Sequence, residues 1–599
     1  MKSFSPTVRS TAGWFVLSLL LIGGLDPSRM LAGTWKPLNR VAPGSVLMMR
    51  LLPDGTVLAM NHTDAQNDNS KVWYRLTPDT NGSYINGSWT TLNSAHDSRL
   101  FFSSQVLTNG NVFVAGGEYG SGTSTAELFN PLANNGAGSW TYINPPTSLM
   151  NPAVPSPILQ QPTNGTFIPE GFIDSISQIL PDGDVLVAPV GANGYGETMI
   201  YNPTANAWSN GPTTFSVYQD EASWVKLPDD SILTIDPYTN TTERFIPSSN
   251  KWVLDETVPV QMYDAAGGEL GAALLLPNKK AFFLGATGHT ALYTPSSSGG
   301  TNFGHWEQGP EIPNDPQGKT LAAQDAPAAM MINGKILCVV GHLETASGGS
   351  PSPLYFFEYD YSSGSTGSFA SVNGPTNLTD NPNGSYATSM LDLPDGTVLY
   401  CHANNTEAYG AQLYDYSPDA SQLAVGKPVI NSITLNADAS YHLVGNGLNG
   451  ISEGAAYGDE VQMNSNYPLV RMTDSSGHVY YARTFNWSST GVMTGSKSVS
   501  TEFLPPPDLP PGDYSLVAVA NGIASDSVTF NGQVWVDFNY TVGPENGTFA
   551  EPFDTLAKGV SAVSSGGTIA IKPGSSGETL TISKPMTLTA VGGAASIGN

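Results

Sequence analysis

One hairpin turn recurs seven times along this 599-residue chain, and few folds accommodate such a repeat. It reads LPDG at 52–55, LTNG at 107–110, LPDG at 180–183 and LPDD at 227–230. It continues as LPNK at 276–279, MING at 331–334 and LPDG at 393–396. Asn or Asp ahead of Gly tolerates positive φ, and Pro presets the first corner, so each is a turn between two strands. An apolar run lies on either side, followed by a third strand ending in Asn-Pro or its like and a fourth carrying Trp. In one unit these are LFFSSQVLTNGNVFVAGG, TAELFNP and GSWTYI. Seven such turns, roughly 45 to 75 residues apart, predict seven four-stranded sheets and hence a seven-bladed β-propeller.

The Trp strands predict how the ring closes. Trp89, Trp140, Trp208, Trp252 and Trp306 each follow a third strand, and Phe369 takes the place in the sixth unit. The seventh unit stops at AQLYDYSPD, while GTWKPL with Trp35 stands unclaimed near the other end. Trp35 is therefore expected to complete the last sheet beside 412–416, which removes an exposed edge.

Composition agrees with an all-β chain: 64 Gly, 45 Pro and only 12% charged residues leave little room for capped, periodic helices. With 50 Asp and Glu against 23 Lys and Arg, the net charge is −27, which disfavours nucleic acid and anionic membranes as partners. Lys2 and Arg9 precede an apolar run from about Trp14 to Leu25, short for a bilayer span and suited to a secretory signal over 1–33. No second apolar segment of spanning length follows, so export without a membrane span after signal removal is the expectation. Strand alternation puts Cys338 and Cys401 on opposite faces, so they are expected to be small buried residues without a bridge.

The repeat occupies 34–425. Over 426–532 the turn disappears and isolated strands predict an immunoglobulin-like β-sandwich, with LPPG before YSLVAVANG. Over 533–599, short strands between glycines predict the beginning of a parallel β-helix, with 553–563 as its only helical piece.

Residues 34–530 resemble the galactose oxidase and glyoxal oxidase family of copper-radical enzymes, with kelch-type blades and an immunoglobulin-like module. The resemblance implies a copper held by two histidines and two tyrosines, one tyrosine crosslinked to a cysteine. His96-Asp97 matches the pair that precedes the family's cysteine, but the cysteine position falls on Leu100 or Phe101. Phe172, within PEGFIDSISQILPDG, stands in the region of the radical tyrosine. In GSYATSMLDLPDG, Tyr386 is retained and Ala387 replaces the histidine. The histidine expected from a hairpin of the accessory module falls on Thr484 or Phe485. Imidazole and phenolate donors suit Cu(II) and these replacements do not, so no copper cofactor is expected.

Asp97, Asp174, Asp220 with Glu221, Asp264 with Glu269, and Asp325 all precede first strands. First strands line a propeller's channel, so these carboxylates, with His96, could converge at its mouth. Ca²⁺ or a cationic ligand would relieve their repulsion; alternatively, each caps its own blade through an Asx-turn. The His342-x-Glu344 pair and His402 lie in adjacent units. Tyr84, Tyr119, Tyr195, Tyr218 and Tyr238 fall in blade loops and could stack on sugar rings. The leading expectation is a secreted or cell-surface propeller that binds extracellular partners, glycans among them, rather than an enzyme. Two alternatives stand beside it. One is an enzyme, either a divergent oxidase of this family or a hydrolase or lyase using the channel-mouth carboxylates. The other is a structural component of a large adhesin-like surface protein.

Overall fold

The computed structural model describes residues 33–598 apart from 63–70, 118–119, 123–124, 146–174, 189–197, 217–218, 220–221, 238, 265–268, 344–351, 376–383, 404–409, 420 and 458–460. All seven repeated turns form, and they form alike. In the first, Leu52 N donates to Thr56 O at 2.7 Å and Gly55 N to Leu52 O at 2.9 Å; the other six repeat both bonds. The Asp or Asn carboxylate or amide oxygen at the third position accepts the backbone N–H two residues on in every copy, from Asp54 to Asp395. The fourth position always has positive φ: 75° at Gly55, but also 66° at Asp230 and 72° at Lys279, where no glycine is available.

Six sheets of four antiparallel strands are built on six of these turns. Five lie consecutively in the chain, at 46–91, 103–142, 177–210, 224–254 and 273–308, and are termed blades 1 to 5. The closing blade joins Thr388–Asp392, Val398–His402 and Tyr414–Ser417 to Thr34–Pro37, with Trp35 opposite Tyr416 as the orphan Trp strand required. Cross-strand pairing explains the recurring Trp. Phe129 faces Trp140, Tyr201 faces Trp208, Phe245 faces Trp252 and Tyr293 faces Trp306, each between third and fourth strands. Such aromatic pairs contribute about 0.2–1 kcal/mol each.

The expectation of a seven-bladed propeller is corrected to a six-bladed one. The unit around the 331–334 turn is not a separate four-stranded blade but part of a seven-stranded sheet. Its inner strand, Ala328–Met330, pairs on its free edge with Gly454–Tyr457, which turns back through Val461–Asn464. The contact is made of small residues: Ala328 opposes Ala456 and Ala329 opposes Ala455. With so little side chain on either strand, the inner edge stays open to a foreign strand. The repeat pattern shows where strands begin but not what pairs with that edge.

Residues 429–532 form one eight-stranded antiparallel sheet rather than two packed sheets. It curls around a core that includes Leu443, Val470, Met472, Ala482, Phe503, Leu516 and Phe530. The 454–464 hairpin leaves this sheet between Tyr441–Asn446 and Leu469–Thr473. Beyond it, Val534–Val536, Thr568–Ile571 and Thr587–Ala590 pair in parallel, as do Gly574–Ser576 and Ala595–Ile597. These are two small parallel sheets, with the helix Leu556–Ala562 capped by the Thr555 hydroxyl. Cys338 and Cys401 are both buried and unbridged. Among the described residues, no helix is long and apolar enough to cross a membrane.

Candidate functional site at the channel mouth

The His96-Asp97 pair is held by Glu127, a residue outside the copper-site motif. Glu127, on the third strand of blade 2 and fully buried, accepts from His96 N at 3.1 Å, His96 Nδ1 at 2.7 Å and Asp97 N at 3.3 Å. Arg99, also buried, donates from Nη2 to Glu127 at 3.1 Å and spans the carbonyls of Gly116, Gly122 and Thr125. Asp97 accepts from the Ser121 and Thr125 hydroxyls at 2.9 and 2.6 Å. The His96 ring stacks at 4.5 Å on Tyr142, which belongs to the fourth strand. Both residues thus engage their own blade. Burial and the neighbouring Asp97 push the Tyr142 phenol up to about 12.

Blade 4 repeats the device. Glu243 accepts from Phe215 N and Ser216 N at 2.8 and 2.6 Å, at the same point before the first strand. Here a second buried carboxyl, Asp236, replaces the arginine, and burial together with Asp236 pushes Glu243 up. The signal was present in the sequence: TAELF and TTERF share the Glu.

The remaining predicted residues divide between the two ends of the channel. Leu100 and Phe101 are buried just before the first strand of blade 2, and Phe101 holds φ 49°, an outlier for a bulky residue. Tyr386 lies just before the first strand of the closing blade, 37% exposed, with its ring 6.5 Å from that of Phe101. Ala387 beside it is buried. Ser385 Oγ donates to Gln324 O at 2.6 Å, which brings the next residue, Asp325, to the same end. Asp325 has φ 46°, and its N–H donates to Leu270 O at 3.1 Å. Asp264 is buried and accepts from Glu269 N at 3.2 Å. Asp264, Glu269, Asp325, Tyr386 and Phe101 are thus linked through neighbouring contacts, whereas Asp97 is bonded within its own blade. Phe172, Asp174, Asp220, Glu221 and Glu344 lie outside the described residues, as do Tyr119, Tyr195, Tyr218 and Tyr238. Tyr84 is fully buried and donates to Gly55 O, so it offers no platform to a sugar.

Thr484 and Phe485 sit at the far end. Thr484 N donates to Pro53 O, and the Arg483 guanidinium lies 4.3 Å over the Phe485 ring. The segment that enters the channel is the 454–464 hairpin instead. Its polar side chains meet those of the inner strands: Gln178 Nε2 donates to Glu453 at 2.8 Å and Asn464 Nδ2 to Gln105 at 3.0 Å. Gln462 Nε2 donates to Trp224 O at 2.5 Å. The Lys226 ammonium donates to Ile179 O at 2.7 Å and Thr490 O at 2.9 Å, and burial lowers its pKa. Ser465 donates to Asp392, whose carboxyl is pushed up to about 8 by burial. A side chain at Gly454 would meet Ser465 Oγ and Asp392 Oδ2, so close packing requires glycine there.

The copper of the resembled family does not fit these positions. Of Leu100, Phe101, Tyr386, Ala387 and Phe485, only Tyr386 offers a donor atom. Among the described residues, no group of three or more His, Cys, Asp or Glu side chains is arranged to hold a metal. His342 is bonded to Asp315 at 2.9 Å, and His402 is buried with neither ring nitrogen hydrogen-bonded among the described residues.

No family model and no curated protein matches the chain. Among solved structures, it is similar to a fungal alcohol oxidase of the AA5 family in complex with copper. That match has 13% identity and a TM-score of 0.49, over 84% of this chain and 99% of the other. It is also similar to a streptogramin B lyase, at 12% identity and TM-score 0.37, over 65% of this chain and 98% of the other. A third match is YCF48 from Cyanidioschyzon merolae, at 10% identity and TM-score 0.36, over 65% and 99%. Likenesses at this level transfer neither activity nor ligand.

Proposed function

We propose that this chain is an exported propeller module that binds extracellular partners at its channel mouth, with neutral glycans as the ligand class. The observation that carries this reading is the hairpin at 454–464. Hydrogen-bonded to the inner strands, it turns the channel into polar core and leaves the mouth as the place for a ligand. There, the partly exposed Tyr386 ring beside Phe101 supplies an aromatic surface suited to the apolar face of a sugar. The acidic surface and the charged-then-apolar N-terminal run support an extracellular setting.

The test is binding of neutral oligosaccharides to the full chain on an array, followed by titration of the strongest hit. Tyr386→Ala is expected to weaken that hit by about tenfold, equivalent to ~1.4 kcal/mol. Binding that is indifferent to Tyr386, or the absence of any hit, counts against the reading. Copper loading that gives a tyrosyl radical and peroxide release from alcohols or aldehydes would replace it with an oxidase.

A further inference from the structure

Among the described residues three arginines are fully buried, and two of them have carboxylate partners. Arg244 Nε donates to Asp255 at 2.5 Å, and Arg99 reaches Glu127 at 3.1 Å. The third, Arg50, is 2% exposed on Val46–Leu51, the first strand of blade 1. Its Nε donates to Ser104 Oγ, and its Nη1 donates to Met49 O at 2.5 Å and to Met463 Sδ at 2.9 Å. Among the described residues its Nη2 has no hydrogen-bond partner and no carboxylate is ion-paired with the guanidinium.

A guanidinium buried without counter-charge is strongly unfavourable. Losing a proton offers no escape at neutral pH, since burial brings this arginine down only to about 9. Nor does the nearby interior supply the charge. Glu453 is matched by Lys226, and Asp392 accepts from Ser465 and forms no ion pair with Arg50. What Arg50 offers is two N–H groups at Nη2, beside a serine hydroxyl and a polarisable thioether from Val461–Asn464. That set suits a small, weakly hydrated monovalent anion; a carboxylate side chain would need a backbone to carry it there.

We propose that Arg50 Nη2, with the Ser104 hydroxyl, holds a monovalent anion of the halide class inside the channel. The anion neutralises the arginine and fastens the 454–464 hairpin to blades 1 and 2. This site is separate from the mouth and does not depend on what the mouth binds.

The experiment follows thermal unfolding of the full chain as sodium chloride or bromide replaces sodium gluconate at constant ionic strength. Bromide anomalous scattering from crystals of the same protein is measured in parallel. The Tm of the wild type is expected to rise and saturate with halide, Arg50→Met to be unresponsive, and bromide to lie within hydrogen-bonding distance of Nη2. An equal halide response in Arg50→Met, or no bromide at Arg50, overturns the proposal. If Arg50→Met does not fold, the wild-type saturation and the bromide position decide between them, and both must be positive.

Discussion

Glu127→Ala tests whether the His96-Asp97 pair is a fastened blade start. The substitution removes the acceptor for two backbone N–H groups and the His96 ring, and it deprives Arg99 of its 3.1 Å partner. Arg99 would then be left, 2% exposed, with Asp97 at 3.8 Å. Removing one member of a buried pair costs about 3–5 kcal/mol, because the other charge stays buried. In a propeller of this size, about 1–2 °C per kcal/mol gives a fall in Tm of roughly 3–10 °C. Asp97→Asn keeps one acceptor oxygen for the Ser121 or Thr125 hydroxyl, sets an NH2 against the other hydroxyl, which can turn to accept it, and loses the longer Arg99 contact, so about 1 kcal/mol is expected. The assay is calorimetry of both variants, with Ca²⁺ titrated into each. The reasoning fails if Asp97→Asn destabilises more than Glu127→Ala. It fails equally if the wild type binds Ca²⁺ and Asp97→Asn abolishes that binding.

Four other outcomes follow from the same structure. Burial brings His402 down from 6.5 to about 4, so its contribution to stability is present above pH 6.5 and is lost as pH falls toward 4, about 3 kcal/mol in all; His402→Phe should flatten Tm across that window. Asp392 has the opposite sign: raised to about 8, it contributes stability that is complete below its unfolded value of 3.8 and lost as pH rises through 8. Asp392→Asn should therefore narrow the difference between Tm at pH 5 and at pH 9. Lys279→Gly should stabilise by about 0.5–1 kcal/mol, measured by urea midpoint, because Lys279 holds φ 72° at a turn position that glycine fills in five of the seven copies. Glu453→Ala strips the partner from Gln178 and the counter-charge from Lys226, and faster proteolysis between propeller and curled sheet is the expected readout.

The repeat was legible because its signal is local. A turn four residues long needs Asp or Asn at one position and positive φ at the next, and each copy satisfies both within its own backbone. The Trp35 closure was legible for a related reason: a missing fourth strand in one unit and a spare Trp strand elsewhere leave one economical pairing. What stayed hidden depends on contacts between segments far apart in the chain. The pairing of Ala328 with Ala456 spans 128 residues and is written in alanines, which carry no positional signal. That single pairing turns an expected blade into a seven-stranded sheet. The same applies to the candidate site. Tyr386 and Phe101 were identified from motif positions, yet the retreat of Asp97 into its blade depends on Glu127, thirty residues away and unremarkable by itself.

The hairpin also bears on how the substituted copper positions should be understood. An oxidase site of the resembled kind needs a histidine brought in on a hairpin of the accessory module, whereas the 454–464 hairpin that packs along the inner strands carries none. Among the inner-strand residues that face the hairpin are Gln105, Gln178, Lys226 and Asp392, which bond to Asn464, Glu453 or Ser465 or, for Lys226, lie beside Glu453. Restoring a histidine at Ala387 and a cysteine at Leu100 would thus leave those groups and the hairpin in place. Such a double substitution should yield no peroxide from alcohols. If it did, another side chain would have to stand in for the histidine that the hairpin lacks.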